Sequence, residues 1–205
     1  MNLQIYLMTK ALAEHDIHNA EIEIDHIKGL TFVNNVQLGI KYPLEYIKNI
    51  NNLSKDKIYD YCFLGKFGKE RGNLLNKFLG ENSKIINTRR GRDKNIKFSF
   101  DKEYYQTIGN TKFSLCPNQG STEKYKHDYG WTYRLIETVF CKSMPIAFRE
   151  TPYGKHFIRD INFLWNDEEH NFSSKKYSKI IDKNYKKGLE YWTLQPREIN
   201  KIKLG

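Results

Sequence analysis

The fold is decided by two neighbouring pieces of sequence, Lys-Phe-Ser-Leu-Cys-Pro-Asn-Gln-Gly at 112–120 and Gly-Trp-Thr-Tyr-Arg-Leu-Ile-Glu-Thr-Val-Phe-Cys-Lys-Ser-Met-Pro-Ile-Ala-Phe at 130–148. The first contains a short apolar run, 113–116, that stops at a proline, as a buried strand running into a loop does. The second spaces its apolar side chains three and four residues apart over 131–141, which predicts a helix, and then holds another apolar run at 144–148. Strand, loop, helix and strand in this order form a βαβ unit, and its crossover requires a parallel sheet.

The same alternation continues on both sides of this unit. Further strands are predicted at 59–64, 84–87 and 161–165, and further helices at 73–79, 101–108, 173–192 and 196–202. Asp101 and either Ser173 or Ser174 have the side chains of helix N-caps. The first 50 residues are harder to interpret and predict only a helix at 3–12, a strand at 20–24 and a helix from Pro43 to residue 50. This regular alternation of strands and helices along the chain predicts an α/β domain with a doubly wound parallel sheet.

The composition is that of a folded, basic protein. Of 205 residues, 39% are hydrophobic and 14% aromatic, and 34 basic residues against 24 acidic ones give a formal charge of +10. This surplus favours an anionic partner, either nucleic acid, an acidic membrane surface or a phosphorylated small molecule, or else it is a solvated basic surface. No apolar stretch approaches the ~20 residues of a transmembrane helix, and the three cysteines all lie in apolar segments, as reduced core thiols do. We therefore expect a soluble, cytoplasmic protein.

Arg134 and Glu137 stand out because they lie one turn apart at the start of the helix in the βαβ unit. Ligands of open parallel sheets bind at the carboxyl ends of the strands, where this helix begins. A surface ion pair at this spacing is the alternative, and it would contribute only ~0.2–0.5 kcal/mol. The glycine-rich basic segment 65–72 follows a predicted strand in the same way, although its spacing fits neither a P-loop nor the dinucleotide-binding fingerprint.

Together these elements resemble the donor-binding half of GT-B glycosyltransferases, and most closely the exostosin-like enzymes. That family has an apolar strand ending in Cys-Pro, a loop with a glycine, an Arg-x-x-Glu helix and a strand beginning Pro-Ile or Pro-Val. The matching elements here are 113–117, Gly120, Arg134 with Glu137, and Pro145 with Ile146. The likeness covers roughly 59–165. It departs from the family at Lys142-Ser143, where a glycine is usual, and in the short length of the chain.

The resemblance implies a GT-B-like fold and a transferase activity. It implies a donor-binding α/β domain at 58–172, an abbreviated N-terminal acceptor-side region at 1–57, and C-terminal helices at 173–205 that pack back on the fold. The enzyme would be a hexosyl- or pentosyltransferase that moves a sugar from a nucleotide-diphosphate sugar to a glycan acceptor, with inversion at the anomeric carbon. No Asp-x-Asp pattern occurs, so neither a metal nor a cofactor other than the donor substrate is expected.

The resemblance also suggests roles for individual residues. Glu137 would accept the ribose hydroxyls, and Lys66, Arg71 and Arg134 would neutralise the diphosphate. The other predicted donor contacts, through the base or the sugar, are Arg89, Gln119, Gly120, Tyr129, Trp131 and Tyr133. The general base of an inverting transferase would come from Asp25 and His26, with His127 and Asp128 as the alternative pair. Each of these segments is also consistent with an ordinary exposed turn or loop.

Two other functions remain open from the sequence. The first is a non-catalytic basic α/β protein that binds nucleic acid, since tyrosines are interleaved with lysines over 173–192. No recognised nucleic-acid module accompanies them, however, and the aromatic residues fall on one helix face, as core residues do. The second is a transferase domain that has lost catalysis and serves as a partner subunit.

Overall fold

The centre of the molecule is a five-stranded parallel sheet. The computed structural model describes residues 3–53, 55–67, 69–88, 100–118, 130–151, 153–158 and 160–204. The strands of this sheet are β4 (Tyr59–Gly65), β5 (Ser83–Asn87), β6 (Thr111–Leu115), β7 (Met144–Ala147) and β8 (Leu164–Trp165). They lie in the order β5-β4-β6-β7-β8, and every neighbouring pair is parallel. The predicted α/β class with a parallel sheet is therefore confirmed.

Helices flank this sheet, connect several of its strands and extend beyond it. Among the described residues they are α1 (Leu3–Ala13), α2 (Leu44–Asn51), α3 (Lys69–Asn76), α4 (Lys102–Gly109), α5 (Tyr133–Phe140), α6 (Lys155–Ile158), α7 (Ser174–Trp192) and α8 (Pro196–Leu204). The Asp101 side chain caps α4 by accepting from the Tyr104 amide, and Ser173 caps α7 through the Lys176 amide. No helix in these described ranges is long and apolar enough to cross a bilayer.

The βαβ unit predicted from the sequence forms the middle of the sheet. All four residues of β7 are buried, as expected for a strand that is covered on both faces. Helix α5 begins after Thr132, whose hydroxyl caps the Arg134 amide, and it buries Leu135, Ile136 and Phe140 against the core. Because α5 follows β6 and leads to β7, its N-terminus lies at the carboxyl edge of the sheet.

A second, antiparallel sheet is formed by the N-terminal region. Its strands are β1 (Ile22–Asp25), β2 (Leu30–Val33) and β3 (Val36–Leu38), paired in chain order. The turn between β2 and β3 is Asn34-Asn35, with φ of 47° and 63°, which are the left-handed values of a tight hairpin turn. The sequence predicted only the first of these strands, since β2 and β3 are short and their alternation is weak.

The C-terminal helices pack against both parts of the molecule. Helix α7 approaches α5 closely at Gly188, where an added Cβ would lie 2.8 Å from Val139 Cγ1. The ammonium of Lys41, only 3% exposed, donates to the Tyr191 and Thr193 carbonyls and to the Glu198 carboxylate. A buried ion pair therefore joins the segment after β3 to the end of the chain.

Two predicted boundaries were wrong. Helix α3 begins at Lys69 rather than at residue 73, so Gly72 and Arg71 lie on a helix and not in a glycine-rich loop. Strand β8 is limited to two residues, Leu164 and Trp165, and residues 161–163 of the predicted strand are not part of the sheet.

Candidate functional site

The parallel sheet has a topological switch point between β4 and β6. From β4 the chain passes through α3 to β5 on one side, and it later returns through α4 to β6 on the other side. The connections that leave the carboxyl ends of β4 and β6 therefore diverge and open a crevice between them. Crevices of this kind are where open α/β sheets bind their ligands.

Arg134 lies at this crevice, above the end of β4. Its guanidinium donates to the Leu64 carbonyl and lies over the Phe63 ring, 4.1 Å from the ring centroid. Gly65 makes room for it, because a Cβ at that position would be 2.6 Å from Arg134 Nη2. The position of the guanidinium thus depends on a residue without a side chain at the last position of the strand.

Arg71, on α3, reaches the same place from the other side of β4. Its Nη1 donates to the Lys66 carbonyl and its Nη2 to the Asn118 carbonyl, each at 3.1 Å. It also lies over the Phe63 ring, at 5.8 Å. Burial lowers the pKa of the Arg71 guanidinium, and the nearby charge of Arg134 lowers it further. The two cations therefore lie near the same aromatic ring.

Neither guanidinium is neutralised by a carboxylate within the described part of the chain. Their polar partners are backbone carbonyls, which satisfy some of the donors but carry no net charge. Two like charges held close together in a partly buried crevice repel each other, and an anion between them would remove that repulsion. The chemistry of the pair therefore suits a polyanionic group such as a diphosphate.

The segment after β7 closes the crevice beside β6. The Tyr153 hydroxyl donates to the Cys116 carbonyl, and the Thr151 hydroxyl accepts from the Asn118 amide at 3.1 Å. Burial raises the pKa of Tyr153 well above its ordinary value, while Arg134 and Arg71 act in the opposite direction. The sequence analysis missed both Tyr153 and Phe63. Phe63 lies in an apolar strand and has the pattern of a core residue, and Tyr153 lies in a polar stretch that no motif marks.

Glu137 is inside the molecule rather than paired with Arg134. Its side chain is 1% exposed and accepts hydrogen bonds from Tyr104 at 2.7 Å, from Tyr42 at 3.0 Å and from Tyr105 at 3.3 Å. Among the described residues it forms no direct ion pair with Arg134. Ribose binding by this carboxylate stays a prediction, and it would require these tyrosine hydroxyls to move away from the carboxylate oxygens.

The turn between β1 and β2 comes to the start of α5. Trp131 donates from Nε1 to the His26 carbonyl at 3.0 Å, and a Cβ on Gly29 would lie 2.8 Å from the indole ring. Gly29 has a φ of +64°, so both its conformation and its surroundings favour glycine. Tyr133 packs edge-on against Trp131 with ring centroids 5.0 Å apart. Trp131, which was predicted to contact the donor, therefore joins the β1–β2 turn to the start of α5.

Asp25 and His26, the predicted bases, are in this turn. The Asp25 carboxylate accepts from the amides of Ile27 and Lys28 at 3.0 Å each, and it therefore stabilises the turn. Its side chain is also partly exposed. The His26 side chain is exposed, as is that of Lys66. The structure brings the Asp25 turn to the N-terminus of α5, and it brings Arg71 and Arg134 together at the crevice.

The remaining predicted contacts lie outside the described residues. These are Arg89 with its neighbours Arg90 and Arg92, and also Gln119, Gly120, Tyr129, His127 and Asp128. Within the described ranges no group of three His, Cys, Asp or Glu side chains is arranged to hold a metal ion.

A cavity of about 570 Å³ adjoins the turn at Gly29. It lies between the antiparallel sheet and the ends of α7 and α8, and its walls include Gly29, Gln37, Tyr191, Trp192, Gln195 and Arg197. The volume is within the range of small-molecule sites, and aromatic faces with amide groups are suited to polar organic ligands.

We compared the chain with protein-family models, with curated proteins and with solved structures, and none of them matches it.

Proposed function

We propose that the chain is a glycosyltransferase with a GT-B-like donor domain, which moves a sugar from a nucleotide-diphosphate sugar to a glycan acceptor. One observation carries the proposal. Arg71 and Arg134 both lie near the Phe63 ring at the switch point of a parallel sheet, and neither has a carboxylate partner among the described residues. A diphosphate is an anion that two guanidiniums beside a helix N-terminus can bind.

The chemistry follows from that arrangement. An acceptor hydroxyl oxygen attacks the anomeric carbon of the donor, and the bond from that carbon to the phosphate oxygen breaks. Its electron pair goes to the diphosphate, where the guanidiniums of Arg71 and Arg134 stabilise the growing charge. The proton of the hydroxyl goes to a base from the Asp25–His26 turn. Because the hydroxyl attacks directly from the face opposite the leaving group, the anomeric configuration inverts, and the charge is balanced without a metal.

The acceptor would approach from the antiparallel sheet. The cavity beside Gly29 shares its wall with the turn that carries the proposed base, so a glycan bound there would have its reactive hydroxyl near the turn. Its aromatic and amide lining suits stacking on sugar rings and hydrogen bonding to hydroxyls.

A thermal shift experiment with UDP, GDP and ADP tests the proposal. A diphosphate that binds only the folded chain should stabilise it by about 2.7 kcal/mol at 100 times its Kd. Arg71→Gln and Arg134→Gln should each abolish most of that shift. Arg149→Gln is the matched control, because Arg149 follows β7 at the same edge but is 52% exposed and paired with Asp167 at 2.7 Å. If none of the three nucleotides shifts the wild-type transition at millimolar concentration, the proposal is wrong.

Hydrolysis of donor sugars distinguishes an active enzyme from a binding subunit. An active transferase should release the nucleoside diphosphate slowly from its own donor without acceptor, and Arg134→Gln should remove that activity. A chain that binds the diphosphate but releases none from any donor, even with glycan acceptors present, would be a partner subunit.

One observation weighs against the nucleic-acid alternative. Tyr177 of α7 is 2% exposed and stacks on Phe172, and Tyr185 packs against Phe140, so these aromatics belong to the core. They are therefore not available as stacking platforms for bases. Polynucleotide binding that falls steeply with salt, together with no response to nucleotides, would favour the alternative.

A further inference from the structure

The buried carboxylate of Glu137 is connected to the crevice by one hydroxyl group. Its Oε2 accepts from Tyr104 at 2.7 Å, and its Oε1 accepts from Tyr42 and Tyr105. Tyr104 comes from α4 and Tyr42 from the segment before α2, so the carboxylate ties three parts of the chain together. A carboxylate that is 1% exposed and bonded in this way has a fixed position.

Tyr104 is the tyrosine that also contacts Arg134. Its hydroxyl accepts from Arg134 Nη1 at 3.5 Å, and the guanidinium carbon is 5.9 Å from the centre of its ring. A phenol has one proton to donate and lone pairs to accept with. Because Glu137 takes the proton, the lone pairs of the same oxygen are left for the guanidinium, and the hydroxyl has a defined orientation.

We propose that Tyr104 is a positioning residue. Its hydroxyl is held by the Glu137 carboxylate, and it in turn orients the Arg134 guanidinium toward a bound diphosphate. This inference rests on the proposed function and assigns Glu137 an indirect role in the anion site. The Leu64 carbonyl holds Nη2 and Tyr104 holds Nη1, so two separate contacts determine the plane of the guanidinium. Bidentate recognition of phosphate depends on that plane.

The inference differs in a measurable way from a direct contact of Glu137 or Tyr104 with ribose. Inorganic pyrophosphate has the charges of the leaving group but no sugar. A residue that orients Arg134 affects the binding of pyrophosphate and of UDP alike, whereas a residue that contacts ribose affects UDP alone.

The experiment compares Tyr104→Phe with Tyr42→Phe by calorimetric titration of pyrophosphate and of whichever nucleoside diphosphate binds best. Both variants remove one hydrogen bond from Glu137, but only Tyr104→Phe removes the contact with Arg134. Tyr104→Phe should weaken both ligands by about fivefold, as expected for one net hydrogen bond, and Tyr42→Phe by less than about twofold. Thermal denaturation of the free proteins should show similar losses for the two variants, which excludes general destabilisation as the cause.

The possible failures are distinct. Equal losses of affinity in the two variants, or a loss in Tyr104→Phe confined to the nucleoside diphosphate, would overturn the inference and leave the proposed function intact. Wild-type protein that binds neither ligand would overturn both.

Discussion

Replacing Gly65 by alanine is the most direct test of how the crevice is built. The new Cβ would lie 2.6 Å from Arg134 Nη2 and 3.1 Å from two ring carbons of Phe63. An ordinary contact is about 3.5 Å or longer, so the guanidinium must withdraw and the ring must shift. The guanidinium is the end of a flexible side chain and can withdraw, but it then loses the Leu64 carbonyl. Phe63 is 1% exposed and has little room to move.

We therefore expect a moderate loss of stability and a large loss of affinity. The crowding of Phe63 should cost about 1–2 kcal/mol in the free energy of unfolding, at the lower end of what overpacking costs. Pyrophosphate affinity should fall by about tenfold or more, since guanidinium recognition of phosphate depends on geometry. The measurements are urea denaturation followed by tryptophan fluorescence, and calorimetric titration of pyrophosphate.

Gly39→Ala is the matched control. Apart from its chain neighbours, no atom of the described residues lies within 4 Å of the position that its Cβ would take, so the same substitution there should change neither quantity. If Gly65→Ala unfolds at the same urea concentration as Gly39→Ala and binds pyrophosphate like wild type, the guanidinium is not where the structure has it.

Three further predictions concern the rest of the molecule. Gly188→Ala should destabilise the fold by about 1–2 kcal/mol in urea denaturation, because the crowding of Val139 outweighs the gain of about 1 kcal/mol in helix propensity. A variant more stable than wild type would contradict the close packing of α7 on α5. Lys41→Met should lower the free energy of unfolding by about 3–5 kcal/mol in urea denaturation, because it leaves the Glu198 carboxylate without its buried partner. Adding Glu198→Gln should recover part of that loss. If the effects of the two substitutions are strictly additive, the two side chains are not coupled. Burial raises the pKa of the Cys116 thiol from 9.0 to about 11, so the unfolded chain loses this proton at a lower pH than the folded protein does. The free energy of unfolding should therefore fall by up to about 3 kcal/mol as pH rises from 9 to 11. Cys116→Ala should reduce that decline in urea denaturation series measured across this pH range, and parallel declines in the two proteins would mean that the thiol is not responsible.

Local chemistry allowed much of the fold to be predicted. Asp101 and either Ser173 or Ser174 were predicted as N-caps from residue type and position alone, and Asp101 and Ser173 cap their helices. The start of α3 was missed because Gly72 was treated as a loop residue, whereas it lies within the helix. The Asn34-Asn35 turn was a usable signal for the missed hairpin, since asparagine tolerates positive φ better than most residues.

The candidate site could be predicted only in part. Arg71 and Arg134 were chosen because each follows a strand of the sheet, and parallel strands end at a common edge. The hydrogen-bond partners of Glu137 could not be predicted in this way. Its partners Tyr42 and Tyr104 are 95 and 33 residues away in the chain, and their hydroxyls converge on it only through tertiary packing.

The buried ammonium of Lys41 has a consequence for the order of assembly on the ribosome. Its first acceptor, the Tyr191 carbonyl, follows 150 positions later in translation, and the adjoining Tyr42 amide pairs with the Trp192 carbonyl. The hairpin region therefore emerges from the exit tunnel long before its native partners exist. Its native docking therefore has to wait until the end of α7 has been synthesised.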